Sequence, residues 1–217
     1  MKTDAELQQD VMNELKWEPT LKAAEIGVAV KDGVVTLSGY VDSYIKKLVA
    51  ERAAARVFGV RAVVEAIQVR LPGSLKRSDE DIAGMVANVL EWNVLVPYDR
   101  VKVNVQDGVV TLSGEVDLWY QKYAAEESVR YLMGIVWLNN QITVKPTVKP
   151  LDVKPKIESA FQRNALLDSR RIKIETRGGK VILSGSVHSW GERAEAQWVA
   201  WAAPGVSEVE NNIIISP

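Results

Sequence analysis

The sequence predicts an α+β chain of three tandem α-β-β-α-β units, each a three-stranded mixed sheet with two helices on one face. Three observations predict it. First, a phrase returns: residues 32–39 and 107–114 both read DGVVTLSG, and residues 178–185 read GGKVILSG. Second, a glycine follows the end of each phrase at one distance, 20 residues, in Gly39–Gly59, Gly114–Gly134 and Gly185–Gly205. Third, apolar spacing switches from helical to alternating at the same place in each copy. Self-similarity at a fixed period marks a repeat architecture. The repeats run over residues 4–70, 79–145 and 152–216. A linker rich in Pro, Gly and Ser joins the first two (71–78), and one with three prolines, a semi-stiff spacer, joins the last two (145–155).

Each repeat opens with a helix. Leu7, Val11 and Leu15 recur every four residues, as do Ile82, Val86 and Leu90; Ile157 and Phe161 take the last two places in the third copy. Asp4 and Asp79 stand where N-caps are wanted, and Pro19 and Pro97 are expected to help stop the first two helices. A strand follows: Ile26, Val28 and Val30 match Val101, Val103 and Val105, then Ile172, Ile174 and Thr176. Asp-Gly or Gly-Gly makes a tight hairpin turn, because these residues accept positive φ cheaply. The return strand keeps the alternation in Val35 and Leu37, Val110 and Leu112, and Val181 and Leu183. A second helix starts near residues 43, 118 and 189 and is expected to end on Gly59, Gly134 and Gly205 as C-cap glycines. A third strand closes the repeat, with Ile67, Ile142 and Ile213 in matching places. The strand–helix–strand order makes the second and third strands parallel. A repeat of this size buries only about 60% of its unfolded surface, so contact with a neighbour or partner would help it.

Composition narrows the function. Lys plus Arg number 27 and Asp plus Glu 28, for a net charge of −1, so no overall basic footprint invites nucleic acid. By repeat the balance differs: residues 1–73 are net 0, residues 74–148 net −3 and residues 149–217 net +2. Cysteine is absent, which removes disulfides and thiolate chemistry. The only histidine, His188, matches Asp42 and Asp117, a polar loop position, and one His without Cys makes a zinc site unexpected. No cofactor motif occurs: Gly178-Gly179-Lys180 is a hairpin rather than a phosphate cradle. A nucleophile with a base in reach is not visible, so the chain is not expected to be an enzyme. The first residues, MKTDAELQQDVMNELKW, lack a signal-peptide apolar run, and no stretch reaches membrane-span length. The expected location is cytoplasmic, with peripheral membrane association open.

The repeated phrase, followed by Val, Ser, an aromatic, a helix and a Gly-Val step into a Val/Asn/Ile strand, resembles the BON domain, named for a bacterial osmotically induced periplasmic protein and nodulation proteins. Gly33, Gly39 and Gly59, Gly108, Gly114 and Gly134, and Gly179, Gly185 and Gly205 carry the resemblance. It implies transport-associated attachment modules that bind phospholipid membranes or other macromolecules, often in osmotic or other stress responses, and not enzymes. Two departures stand out: three copies where the best-known relatives have two, and no secretion signal.

The candidate binding residues are aromatic and basic. Tyr44, Trp119 and Trp190 coincide at the start of the second helix, where an aromatic either packs on its own repeat or anchors a ligand. Trp17 and Trp92 coincide at the end of the first helix, where the third repeat has Arg163; an Arg counterpart predicts exposure, and the two indoles are candidates for packing repeat on repeat. Trp198 and Trp201 face Arg52 and Ala55 in the first copy, and Trp137 falls outside the core set, so these too are expected at an interface. Arg170, Arg171, Lys173, Arg177 and Lys180 cluster on the third hairpin, either as a lock for an anionic surface or as charges guarding a sheet edge. Three functions follow as expectations: attachment to anionic phospholipid, a protein-interaction or self-assembling scaffold, and a small-ligand binder using a cleft between repeats.

Overall fold

The structure, a computed structural model, describes residues 2–145 and 153–216. The first repeat comprises α1 (Asp4–Trp17), β1 (Ile26–Lys31), β2 (Val34–Val41), α2 (Tyr44–Arg56) and β3 (Ala62–Val69). The second comprises α3 (Asp79–Trp92), β4 (Val101–Gln106), β5 (Val109–Val116), α4 (Trp119–Val129), β6 (Trp137–Asn140) and β7 (Thr143–Val144). The third comprises α5 (Val153–Arg163), β8 (Ile172–Arg177), β9 (Lys180–Val187), α6 (Trp190–Trp201) and β10 (Glu208–Ile215). The sheets run β1-β2-β3, β4-β5-β6 with β7 also on β5, and β8-β9-β10. In the first and third sheets the hairpin is antiparallel and the closing strand parallel, with Val35 opposite Val30 and Val63, and Val181 opposite Thr176 and Val209. Both helices of the first and third repeats lie against their sheet and against each other. The chain groups into two compact units, Met1–Met85 with Val105–Val110 and Arg130–Leu138, and Val86–Asn104 with Thr111–Val129 and Asn139–Pro217. The division passes through the second repeat.

The first helix is capped one residue before the expected cap. Thr3 has extended backbone, and its hydroxyl accepts the Glu6 amide at 3.3 Å while the Glu6 carboxylate accepts the Thr3 amide at 2.8 Å, a capping box. Ser78 serves α3 in the same way, accepting the Asp81 amide at 3.1 Å. Asp4 and Asp79 are therefore first helical residues, and their carboxylates do something else. Asp4 accepts the amides of Asp32 and Gly33 at 2.9 and 3.2 Å; Asp79 accepts those of Asp107 and Gly108 at 2.8 and 2.9 Å. Each carboxylate pins the hairpin turn to the start of the first helix. Asp32 and Gly33 have φ of 51° and 76°, and Asp107 and Gly108 have 52° and 76°, as a type I′ turn requires. In the hairpin turn of the third repeat Gly178 has positive φ, 61°, and Gly179 does not, the type II′ pattern. Pro150 takes the place of the pinning aspartate there and lies outside the described residues.

Two further expectations change. Gly59, Gly134 and Gly205 have φ of 101°, 90° and 94°, but the helices before them end at Arg56, Val129 and Trp201. The glycines instead turn the chain into the third strand, because α2 and α6 close on short turns, Val57 N–H to Ala54 and Ala203 N–H to Ala200. Pro97 lies beyond the end of α3 and opens a short 3-10 turn at Tyr98–Arg100 rather than stopping the helix. The glycine closing each repeated phrase is required by close approach: a Cβ on Gly39, Gly114 or Gly185 would overlap the carbonyl oxygen of Glu25, Arg100 or Arg171.

The cores are those of amphipathic helices on alternating strands. Leu7, Val11, Leu15, Val35, Leu37 and Ile67 are buried in the first repeat, with Ala50, Ala53 and Ala54 letting α2 approach closely. Ile157, Phe161, Val181, Leu183 and Ile213 hold the same places in the third. Among the described residues, no helix is long and apolar enough to cross a membrane.

Candidate interaction surfaces

The aromatics at the start of the second helices are drawn inward. Tyr44 is buried and meets Trp137 edge-on, with ring centres 5.9 Å apart. The Lys47 ammonium sits 4.6 Å from the Trp137 ring centre while pairing with Glu65 at 2.7 Å. Trp119 is half-buried, stacked on Tyr123 at 5.3 Å and on Trp201 at 5.7 Å, with Trp198 edge-on at 4.6 Å. Trp198, which is exposed as expected, and the half-buried Trp201 form one cluster with Trp119 and Tyr123. Rings of this size join edge-on or offset for quadrupole reasons, and each pair contributes roughly 0.5–1.5 kcal/mol beyond area burial. Trp190 is half-buried under the Arg193 guanidinium at 5.0 Å, and its buried Nε1 has no hydrogen-bond partner among the described residues.

Trp17 and Trp92 stand outward, 82% and 86% exposed. The loop after Trp92 continues the apolar surface: Val94 is 97% exposed, and Leu95 and Tyr98 are more than half exposed. This follows from their place at the last turn of a helix whose buried stripe runs through Leu15 and Leu90, two residues earlier.

The basic hairpin is largely neutralised. Arg170 pairs with Asp168 at 3.1 Å, Lys173 with Glu175 at 2.8 Å, and Lys180 with Glu208 and Glu210 at 2.7 and 2.9 Å. These partners raise the pKa of Arg170, Lys173 and Lys180 and lower those of Asp168, Glu175 and Glu210. Arg171 donates to Ser186 at 3.1 Å and contacts the His188 ring. Arg171 and Arg177 have no carboxylate partner among the described residues. The sequence shows the basic residues but not that the neighbouring strand places Glu208 opposite Lys180 and Glu210 two residues further on, within reach of the same ammonium.

His188 occupies the place of Asp117, which accepts both Arg100 nitrogens at 2.7 and 3.2 Å; the Arg100 guanidinium holds the Asp117 carboxyl below the usual carboxylate range. Arg171 stands where Arg100 does, so His188 places an imidazole where the second repeat has the carboxylate of an ion pair. Among the described residues no three His, Asp or Glu cluster as a metal set.

One repeated contact escaped the sequence reading. Lys47 donates to the Ile67 carbonyl at 2.9 Å, and Arg193 to the Ile213 and Asn211 carbonyls at 3.0 and 2.7 Å. Asn140 Nδ2 returns the bond in the second repeat, to the Lys122 carbonyl and the Glu126 carboxylate at 3.1 Å each. Each clasps the second helix to the third strand. Burial lowers the pKa of Lys122 and Arg193. The signal was present as Lys47, Lys122 and Arg193, separated by the same 75 and 71 residues as the repeated phrase.

The BON domain matches residues 3–70, 78–146 and 152–217. The chain belongs to the BON domain family. A BON relative, Osmotically-inducible protein Y of Escherichia coli (strain K12), is 35% identical over 129 residues, 58% of this chain and 64% of its own length. The chain thus spans less than two thirds of that relative. Among solved structures, the C-terminal domain of CdsD, the structural protein of the Type III secretion system of Chlamydia trachomatis, matches at 14% identity over 100% of both chains with a TM-score of 0.27. A second CdsD structure gives 14% identity, 96% and 91% coverage and a TM-score of 0.26. Likeness at that level carries no argument about the BON protein's function.

Proposed function

We propose that this BON protein is a non-catalytic attachment protein that binds phospholipid at a membrane surface, with Trp17 and Trp92 as its points of insertion. The observation that carries this reading is the exposure of both indoles at matched positions of two repeats. An indole left in water at such a position gains by moving its apolar body to the acyl boundary while its N–H stays among headgroups. Anionic lipid adds a smaller attraction, since each free Lys or Arg near the surface contributes about 1 kcal/mol and most of the hairpin charge is already paired. Binding should therefore weaken only modestly with salt. Cytoplasmic residence belongs to the same proposal; release of the protein by osmotic shock of intact cells would contradict it. A role in osmotic or other stress is supported by the name of the relative.

Co-sedimentation with phosphatidylglycerol–phosphatidylethanolamine vesicles tests the reading. The wild type should pellet, and a Trp17→Ala/Trp92→Ala double variant should bind at least about tenfold more weakly, a loss near 1.4 kcal/mol. A wild type that stays in the supernatant at low salt, or a double variant that pellets equally, sinks it. The exposed run Trp92, Val94, Leu95 and Tyr98 supports a second reading, a protein-interaction or self-assembling scaffold, since such a loop also suits a protein hot spot. A monomeric mass at high concentration in sedimentation equilibrium counts against self-assembly.

A further inference from the structure

The seam between the two helices of the third repeat differs from its counterpart in the first. In the first repeat the seam holds an opening of about 460 Å³ that is charge-balanced and lined mostly by polar side chains. Arg56 lies between Glu14, at 2.9 Å, and Glu18, with Trp17, Val57 and Phe58 beside it. The paired carboxylates raise the Arg56 pKa. In the third repeat the matching places carry Ala160 for Glu14, Ala202 for Arg56, Ala203 for Val57 and Pro204 for Phe58. The groove between α5 and α6, about 360 Å³, is within the roughly 300–1,000 Å³ of small-molecule sites, and these substitutions make its lining mostly apolar.

The floor of the groove is Ile157, Ala160, Ala202 and Ala203, and its walls include Val199 and the half-open Trp198. Its charge is inverted as well. Lys156 stands where the first repeat has Asp10, and Arg163 where it has Trp17. Both line the groove, both are exposed, and neither has a carboxylate partner among the described residues. They are seven residues apart on α5, two turns along one face, or about 10 Å. The one carboxylate in the lining, Glu195, is held by Asn164 Nδ2 at 2.6 Å. The groove therefore offers an apolar bed with two cations beside it.

We infer that the third repeat carries a binding site of its own, in the α5–α6 groove, for an amphiphilic anion: a single apolar chain bearing one carboxylate or phosphate head. The chain lies over the alanines against Trp198 and Val199, and the head pairs with Lys156 and Arg163. Arg163 supplies the planar fork that suits a carboxylate or phosphate, and Lys156 a mobile point charge. The site lies within one repeat rather than in a cleft between repeats. It does not rest on membrane attachment, because its ligand is a soluble monomer.

Isothermal titration of the full chain with decanoate and with decyl phosphate, both below their micelle concentrations, tests the inference. Saturable binding at one site is expected for at least one of them; preference between the two says whether a fatty acid or a phosphate-headed lipid fragment is the better source. Decanol and inorganic phosphate should each bind at least tenfold more weakly. The Ala160→Glu/Ala202→Arg variant restores the side chains of the first repeat at positions where that repeat tolerates them, and should abolish binding while leaving the circular dichroism melt intact. Lys156→Ala/Arg163→Ala should weaken binding about tenfold and remove the advantage over decanol. No saturable heat with either anion overturns the inference. Binding unchanged by both double variants overturns it equally. Neither result bears on vesicle binding through Trp17 and Trp92.

Discussion

The first and third repeats share a frame and differ in what they do with it. Both place a glycine where the return strand meets a backbone carbonyl, both bury the same helix stripe, and both clasp the second helix to the third strand with a long basic side chain. The first repeat then adds charged connections: Asp4 to its turn, Arg56 to Glu14 and Glu18, Lys46 to Asp42 at 2.8 Å. The third lacks these and has alanines, His188 and a glycine-only turn in their places. The glycines fixed by backbone approach are the same in every copy, and the core positions change size but stay apolar. Positions on the seam and the turn change character, and that is where the repeats have acquired separate surfaces.

The largest effect should fall on the shared frame. Gly39→Ala and Gly185→Ala each push a Cβ into a carbonyl oxygen at positive φ, and should cost about 4 kcal/mol or more, enough to unfold the affected repeat. Urea denaturation followed by circular dichroism reads it; equal losses in both repeats are expected, and a tolerated substitution in either would break the claim of a common frame. Next is the aromatic cluster. Trp119→Ala removes a half-buried ring with three ring partners and should cost roughly 2–3 kcal/mol, below the full range for a buried aromatic. Smaller still is the turn pin. Asp4→Ala and Asp79→Ala should each cost about 1 kcal/mol, the worth of an exposed charge-assisted bond, seen as a lowered melting temperature.

Sequence legibility followed the same division. The repeat, the strands, the hairpins and the core stripe were readable because they depend on period and on glycine geometry, which are local. The pinning role of Asp4 and Asp79 was not, since an aspartate at a helix start reads as a cap, and only the fold brings Asp32 and Gly33 within 3.2 Å of Asp4. The exposure of Trp17 and Trp92 was signalled by Arg163 in their column. The pairing of the basic hairpin was hidden, because Glu208 and Glu210 are distant in sequence and meet Lys180 only through the parallel strand. The groove in the third repeat was spelled out as alanines and a proline, but small residues say nothing until the larger ones they replace are seen in contact.

The smallest expected effect contrasts the second and third repeats. The Asp117 carboxyl is held low by Arg100, so its stabilisation is present above the ordinary aspartate range and is lost as pH falls through the lowered value. Arg100→Gln should lower the melting temperature slightly at neutral pH, and the gap to wild type should close in strong acid. His188→Asp should give the third repeat the missing ion pair with Arg171 and raise its melting temperature slightly at neutral pH. A gap that widens in acid would reverse the assignment.

The claim at the centre, that the exposed indoles of the first two repeats meet the membrane, is tested most directly by fluorine NMR. The seven tryptophans are replaced by 5-fluorotryptophan, and resonances are assigned through Trp17→Phe and Trp92→Phe. On adding phospholipid nanodiscs, the resonances of Trp17 and Trp92 should shift and broaden first, while those of Trp119 and Trp201 in the aromatic cluster hold their positions. Unperturbed Trp17 and Trp92 signals in the presence of bound nanodiscs would contradict the account.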